Sequence, residues 1–192
     1  MGKSGKQHRR KSGRKSDGKP DRKPEKRLYA IAIGSNRPLS RKLPPREILA
    51  AAIKALDRKP LRVKAVAPII ASRPVGPSSR DYVNGAVIVR TRLTPEALLD
   101  HLQGIEYRFG RQRRQRWGAR TLDLDIILWE GGACRTPRLI VPHPAYAMRE
   151  FVLRPLSAIA PRWRDPATGL RINHLRTRLE RPKPVDPTRS TG

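Results

Sequence analysis

Arg113-Arg114-Gln115-Arg116-Trp117-Gly118-Ala119-Arg120-Thr121-Leu122-Asp123-Leu124-Asp125-Ile126-Ile127-Leu128 joins an arginine-dense segment to an apolar run carrying two carboxylates. In an extended strand, residues i and i+2 share a face and lie roughly 6.5–7 Å apart. Asp123 and Asp125 are therefore expected on one side, with Leu122, Leu124 and Ile126 on the other. The run is apolar enough for a central strand, where carboxylates need a partner charge or a metal. Paired carboxylate oxygens suit a hard cation such as Mg²⁺, which fills its shell with water and phosphate oxygens. Arg113, Arg114, Arg116 and Arg120 suit a polyphosphate. Together they point to metal-assisted phosphoryl or pyrophosphoryl transfer. The plainer alternative is two solvated carboxylates neutralising nearby arginines, since D-x-D is short and common.

Upstream, Leu28–Ile33 reads as a strand ending in the Gly34-Ser35-Asn36 turn. Pro45–Leu56 places Ile48, Leu49, Ala52, Ile53 and Leu56 at helical spacing, and Leu61–Ile70 alternates as a strand. Residues 71–81 read as a loop long enough to be functional. Tyr82–Thr91 reads as a strand, and Thr94-Pro95-Glu96 opens a helix with Leu98, Leu99, Leu102, Ile105 and Phe109 on one face. Residues 111–120 form a loop before the aspartate strand, Thr121–Trp129. The order strand, helix, strand, strand, helix, strand predicts an α+β, ferredoxin-like antiparallel sheet with two helices on one face. Its bare face, or the loops at one end, must then carry the site. Phe151–Ile159 adds a helix shortened by Pro155, and His174–Leu179 a last one.

The 192 residues support one domain. The net charge of +27 is unevenly spread, because residues 1–27 hold twelve Lys/Arg against three Asp/Glu, a net +9. That stretch lacks the apolar surface to offset its ordering entropy and is expected to be a disordered basic tail. The domain then spans 28–180, with a second disordered tail over 181–192. Such an excess suits nucleic acid or small polyanionic ligands. The single cysteine, Cys134, forms no disulfide framework and follows a Gly-rich turn without a nearby histidine, so it reads as inert in a reducing compartment. No apolar run reaches membrane-span length, and a monomer in the cytoplasm is expected.

Four motifs carry a resemblance to a known family. They are Ala32-Ile33-Gly34-Ser35-Asn36, Asp81-Tyr82-Val83-Asn84, Arg116 through Asp125, and Val141-Pro142-His143-Pro144 with Arg149 and Phe151 beyond. In that order they resemble 6-hydroxymethyl-7,8-dihydropterin pyrophosphokinase, over about Leu28 to Leu179. Ala119 stands where the family usually has proline. Arg73 replaces a more usual apolar or small residue. The basic extension has no counterpart in the family core.

The resemblance implies transfer of the β,γ-pyrophosphoryl group of ATP to the hydroxymethyl group of the pterin, with release of AMP. It implies two Mg²⁺ ions held by Asp123 and Asp125, with Arg111, Arg113 and Arg120 neutralising the phosphates. Arg138, His143 and Arg149 match ATP-binding positions, and Gln103 and Glu106, one helical turn apart, are expected toward the adenine or ribose. Trp117 is either a nucleotide contact or the anchor of a lid. Tyr82 and Phe151 match the pair that sandwiches the pterin ring, Asn84 reads its edge, and Ser72 and Val75 complete the pocket. The alternative is a nucleic-acid-binding module that uses the basic tail. Against it stand an aromatic content of only 5% and a key strand of carboxylates. An enzyme core with a polyanion-binding tail would combine both readings.

Overall fold

The computed structural model describes residues 24–73, 81–111 and 120–181. Val75, Arg113 and Trp117 lie outside them, as does nearly all of both tails.

The chain runs β1 (Arg27–Ser35), α1 (Pro45–Leu56), β2 (Arg62–Val66), β3 (Ile70–Ser72), β4 (Tyr82–Thr91), α2 (Pro95–Arg108) and β5 (Asp123–Trp129). The hairpin β6 (Cys134–Arg135) and β7 (Ile140–Val141), a 3₁₀ turn at Tyr146–Met148, α3 (Glu150–Ile159) and α4 (Ile172–Glu180) follow. The main sheet is ordered β2-β4-β1-β5, antiparallel throughout, with β3 also on β4. This is the ferredoxin-like arrangement expected. The apolar spacing of α1 and α2 explains their burial, since Ile48, Leu49, Ala52 and Leu56 meet Leu98, Leu102 and Ile105 beneath the sheet. Thr94 caps α2, its Oγ1 accepting from Ala97 N–H at 3.3 Å, with Pro95 at the first helical position.

Three expectations need correction. The strand expected over Leu61–Ile70 divides at Ala67-Pro68-Ile69, because Pro68 has no N–H for the ladder, and the chain resumes against β4 as β3. Pro155 does not shorten α3, which runs through it for 10 residues. Val152, Leu153 and Leu156 are buried on the sheet. At ~1.5–3 kcal/mol each, their burial outweighs the ~3 kcal/mol cost of an internal proline. The second face of the sheet is also not bare. Ala30, Ala86, Ile88 and Leu128 pack there against α3 and α4, forming a second core around Leu153, Leu156, Ile172 and Leu175.

A bulge adjusts β5 to these two cores. Ala30 pairs with Leu128 but Ile31 with Ile126, leaving Ile127 as an extra residue. Beyond the bulge, Trp129 turns to the α1/α2 side and stacks on Tyr29 at 5.5 Å.

Candidate active site

Upstream of the bulge, the expected alternation holds. Leu122, Leu124 and Ile126 enter the α1/α2 core, so Asp123 and Asp125 point to the other face. Across the sheet Asp123 lies opposite Gly34 and Gly34 opposite Asn84, while Asp125 lies opposite Ala32 and Ala32 opposite Ala86. Directly opposed residues share a face. Two carboxylates, three small residues and one amide therefore form a continuous floor. A Cβ on Gly34 would stand 3.1 Å from Asn84 Oδ1, so the glycine is what lets the amide lie low.

Asp123 is held from two directions. Arg120 Nη1 donates to Oδ2 at 2.7 Å, and Arg111 Nη1 stands 3.2 Å from Oδ1. The second contact is an ion pair without hydrogen-bond alignment, so the buried Oδ1 accepts no hydrogen bond among the described residues. Arg111 also pairs with Glu106, which is 2% exposed and whose Oε1 accepts the Leu124 N–H at 2.8 Å. Burial raises the Glu106 carboxyl above its ordinary range, against the pull of that N–H and of Arg111. Burial, then the charges of Asp123 and Glu106, push Asp125 up to about 6, while Arg120 and Arg149 oppose them.

His143 joins this group from the segment after β7, its N–H donating to Ile127 O at 3.0 Å. Its Nδ1 accepts from Ala145 N–H at 3.2 Å, which leaves Nε2 as the donor of a neutral ring. Burial and then Arg149 lower its pKa. Arg149, just before α3, lies 5.9 Å from the Phe151 ring centroid. On the side toward β3, Ser72 lies opposite Tyr82, and Asn84, 6% exposed, donates from Nδ2 to Ser72 Oγ at 2.7 Å.

The structure thus gathers Arg111, Arg120, Asp123, Asp125, His143 and Arg149 around one charge cluster, with Ser72, Tyr82 and Asn84 beside it on the same face. Arg138 is elsewhere. It is exposed and ion-paired to Asp100 of α2. Asp100, Gln103 and Glu106 follow one another at three-residue spacing along α2, a column leading from Arg138 toward Asp123. Glu106 is not on a solvated helix face, because its carboxylate is taken up by Leu124 and Arg111. Asn36, quoted above within a motif but given no role, proves to be bonded to the backbone of Arg120. The signal available was a polar residue placed where a central strand ends.

The donor set fits Mg²⁺. Two neighbouring carboxylates supply hard oxygen ligands, one of them a buried oxygen with no hydrogen bond among the described residues. No helix among the described residues is long and apolar enough to cross a membrane.

A family model described as 7,8-dihydro-6-hydroxymethylpterin-pyrophosphokinase (HPPK) matches residues 30–161. A 2-amino-4-hydroxy-6-hydroxymethyldihydropteridine pyrophosphokinase of Pseudomonas aeruginosa is 46% identical over 142 residues, covering 73% of this chain and 84% of that protein. The Haemophilus influenzae protein of the same name is 42% identical over 132 residues, 68% and 79% of the two chains. The Synechocystis protein of that name is 48% identical over 104 residues, and the match spans about half its length, 53%. A Plasmodium falciparum HPPK-DHPS crystal structure superposes with a TM-score of 0.64 at 13% identity, covering 82% of this chain and 46% of that one. That likeness concerns the fold alone.

Proposed function

Because the chain belongs to the 7,8-dihydro-6-hydroxymethylpterin-pyrophosphokinase family, we infer that it transfers pyrophosphate from ATP to the hydroxymethyl group of 6-hydroxymethyl-7,8-dihydropterin, releasing AMP, in folate biosynthesis. The hydroxymethyl oxygen attacks the β-phosphorus, the bond to the α,β-bridging oxygen breaks, and negative charge moves onto AMP. The observation that carries this reading is the shared face of Asp123, Asp125 and Asn84, with Arg111 and Arg120 clamped at its edge.

Asp123 and Asp125 would hold Mg²⁺, two ions in our reading. Bound there, the metal would neutralise phosphate charge and draw the triphosphate into line. Arg111 and Arg120 offer guanidinium donors to the phosphates and to the leaving AMP. Arg113 and Trp117 join them on the strength of the sequence. Neutral His143 presents Nε2–H, and Arg149 a full charge, to the same phosphates. Glu106 acts through Arg111, orienting it, rather than by touching the nucleotide. Gln103 on α2, and Arg138 joined to that helix through Asp100, suit the adenosine half.

For the pterin, Tyr82 and Phe151 supply ring faces worth ~1 kcal/mol each beyond burial. Asn84, oriented by Ser72, supplies an acceptor and a donor to the pyrimidinone edge. Val75 completes the pocket by its place in the sequence. The catalytic domain spans 28–180 and works as a monomer in the cytoplasm, and residues 1–27 bind polyanions through counterion release.

The test is to incubate the protein with ATP, Mg²⁺ and the hydroxymethyl dihydropterin. AMP is expected, dependent on both the metal and the pterin. ADP as the main product, or equal turnover without pterin, refutes the reading.

A further inference from the structure

Asn36 joins β1 to the chain entering β5 in an unusual way. Its backbone N–H donates to Arg120 O at 3.1 Å, and its side-chain Oδ1 accepts the Arg120 N–H at 2.8 Å. Two reciprocal bonds of this kind define a hydrogen-bonded antiparallel pair. Here a side-chain oxygen stands in for the main-chain carbonyl as the chain departs through Arg37-Pro38. Asn36 is 2% exposed, and its Nδ2 has no hydrogen-bond partner among the described residues. The residue is used for its oxygen.

Arg120 closes the arginine-rich segment in sequence, and its guanidinium sits on Asp123 at 2.7 Å. At the other end of that arginine-rich segment, Arg111 N–H donates to Glu106 O at 3.1 Å and its guanidinium pairs with Glu106 and Asp123. Each end is therefore fastened by a buried residue, Glu106 within α2 and Asn36 immediately after β1.

We propose that Asn36 is a positioning residue for pyrophosphoryl transfer: by anchoring the Arg120 backbone to β1 it fixes the Arg120 guanidinium over Asp123. The proposal rests on the pyrophosphokinase reading. The side chain has one suitable length and charge. Serine falls short of the Arg120 N–H, glutamine overshoots it, and aspartate adds a buried negative charge near Asp123 and Asp125. Alanine leaves the Arg120 N–H without its acceptor, and the guanidinium is then free to sample positions off the phosphates. Misplacement by about 1 Å costs on the order of a hundredfold in rate.

The experiment is a double-mutant cycle on the full chain. Wild type, Asn36→Ala, Arg120→Ala and the double variant are assayed for AMP release, with kcat and both KM values determined. Asn36→Ala is expected to lower kcat about 10- to 100-fold with the pterin KM within about twofold. On the Arg120→Ala background the same change is expected to cost less than about twofold, because the side chain it positions is gone. Multiplying losses, or a pterin KM that rises as kcat falls, overturns the proposal in favour of a general structural role. If the alanine variant does not yield folded protein, Asn36→Ser takes its place and the same two outcomes decide. Absence of AMP from the wild type refutes the activity itself, whereas multiplying losses with AMP present refute only the role of Asn36.

Discussion

Replacing Asp125 by asparagine should make the protein more stable and inactive at once. The Asp125 carboxylate is half-buried beside Asp123 and Glu106, and its pKa rises from 3.8 to about 6. That is roughly two powers of ten in proton affinity, about 3 kcal/mol at ~1.36 kcal/mol for each. The folded-state pKa is raised, so the stabilising form is the protonated one. Its contribution is complete below about 3.8 and lost as pH rises through about 6. At pH 8 the wild-type fold therefore bears the cost of an ionised Asp125. Arg120 and Arg149 can swing toward the charge and reduce it, so a gain of about 1–3 kcal/mol is expected for Asp125→Asn. For a domain of this size that is up to ~10 °C in Tm. Thermal melts of both proteins at pH 8 and pH 4, without nucleotide or Mg²⁺, measure it, and the gap should narrow sharply at pH 4. Adding Mg²⁺ and ATP should raise the wild-type Tm and leave the variant's nearly unmoved, while AMP formation by the variant falls below about a tenth of wild type, ~1.4 kcal/mol in barrier. A variant no more stable than wild type at pH 8, or equally favoured at pH 4, refutes the electrostatic reasoning.

Gly34→Ala pushes a methyl group to 3.1 Å from Asn84 Oδ1; the pterin KM should rise about three- to tenfold (~0.7–1.4 kcal/mol) with the ATP KM unchanged, and an unaltered pterin KM in steady-state assays contradicts the floor described for the site. Deleting residues 1–26 should leave kcat and both KM values within about twofold and abolish salt-sensitive binding to a random-sequence oligonucleotide; a large loss of turnover would mean that the tail reaches the active site.

Periodicity exposed β1, α1, β4 and α2 to within a few residues, because each buries one regular face against the sheet. The aspartate strand was legible for the same reason, its two carboxylates interrupting an otherwise apolar alternation. What periodicity lacks is the identity of the opposing layer. The apolar faces of α3 and α4 were readable, but nothing local tells that they cover the sheet's second face. Pro155 and Pro68 show why prolines mislead in both directions, one tolerated inside a well-packed helix and the other dividing an edge strand. At the site, Arg120, Asp123 and Asp125 were recognisable by residue type and spacing, and Asn84 by the motif it shares with the resembled family. Glu106 was singled out, but its bond to Leu124 was not foreseen, and Asn36 was given no role, since each acts by a side-chain bond to a distant backbone N–H, 18 and 84 residues away. Such bonds leave no repeat to detect.

The extra residue at Ile127 divides β5 into two halves of opposite phase, one that turns its aspartates to the sheet's second face and one that plugs Trp129 into the first core. Insertions and deletions therefore act differently here from substitutions. Loss of one residue between Asp125 and Trp129 removes the bulge and restores plain alternation, with Ile126 and Leu128 opposite Ile31 and Ala30. Both halves then keep their faces, and only the burial of Ile127 in the second core is lost. Loss of a second residue forces a choice. Either the tryptophan leaves its stack, or the whole upstream half rotates and drives Asp123 and Asp125 among Leu98, Leu102 and Ile105. The first outcome weakens the fold, and the second extinguishes the chemistry. Side chains along β5 can drift one at a time, and its residue count can fall by the bulge residue alone before the two cores make conflicting demands. Length variation among active descendants of this chain should accumulate in the connections around the strand and, between Asp123 and Trp129, be confined to loss of the bulge residue.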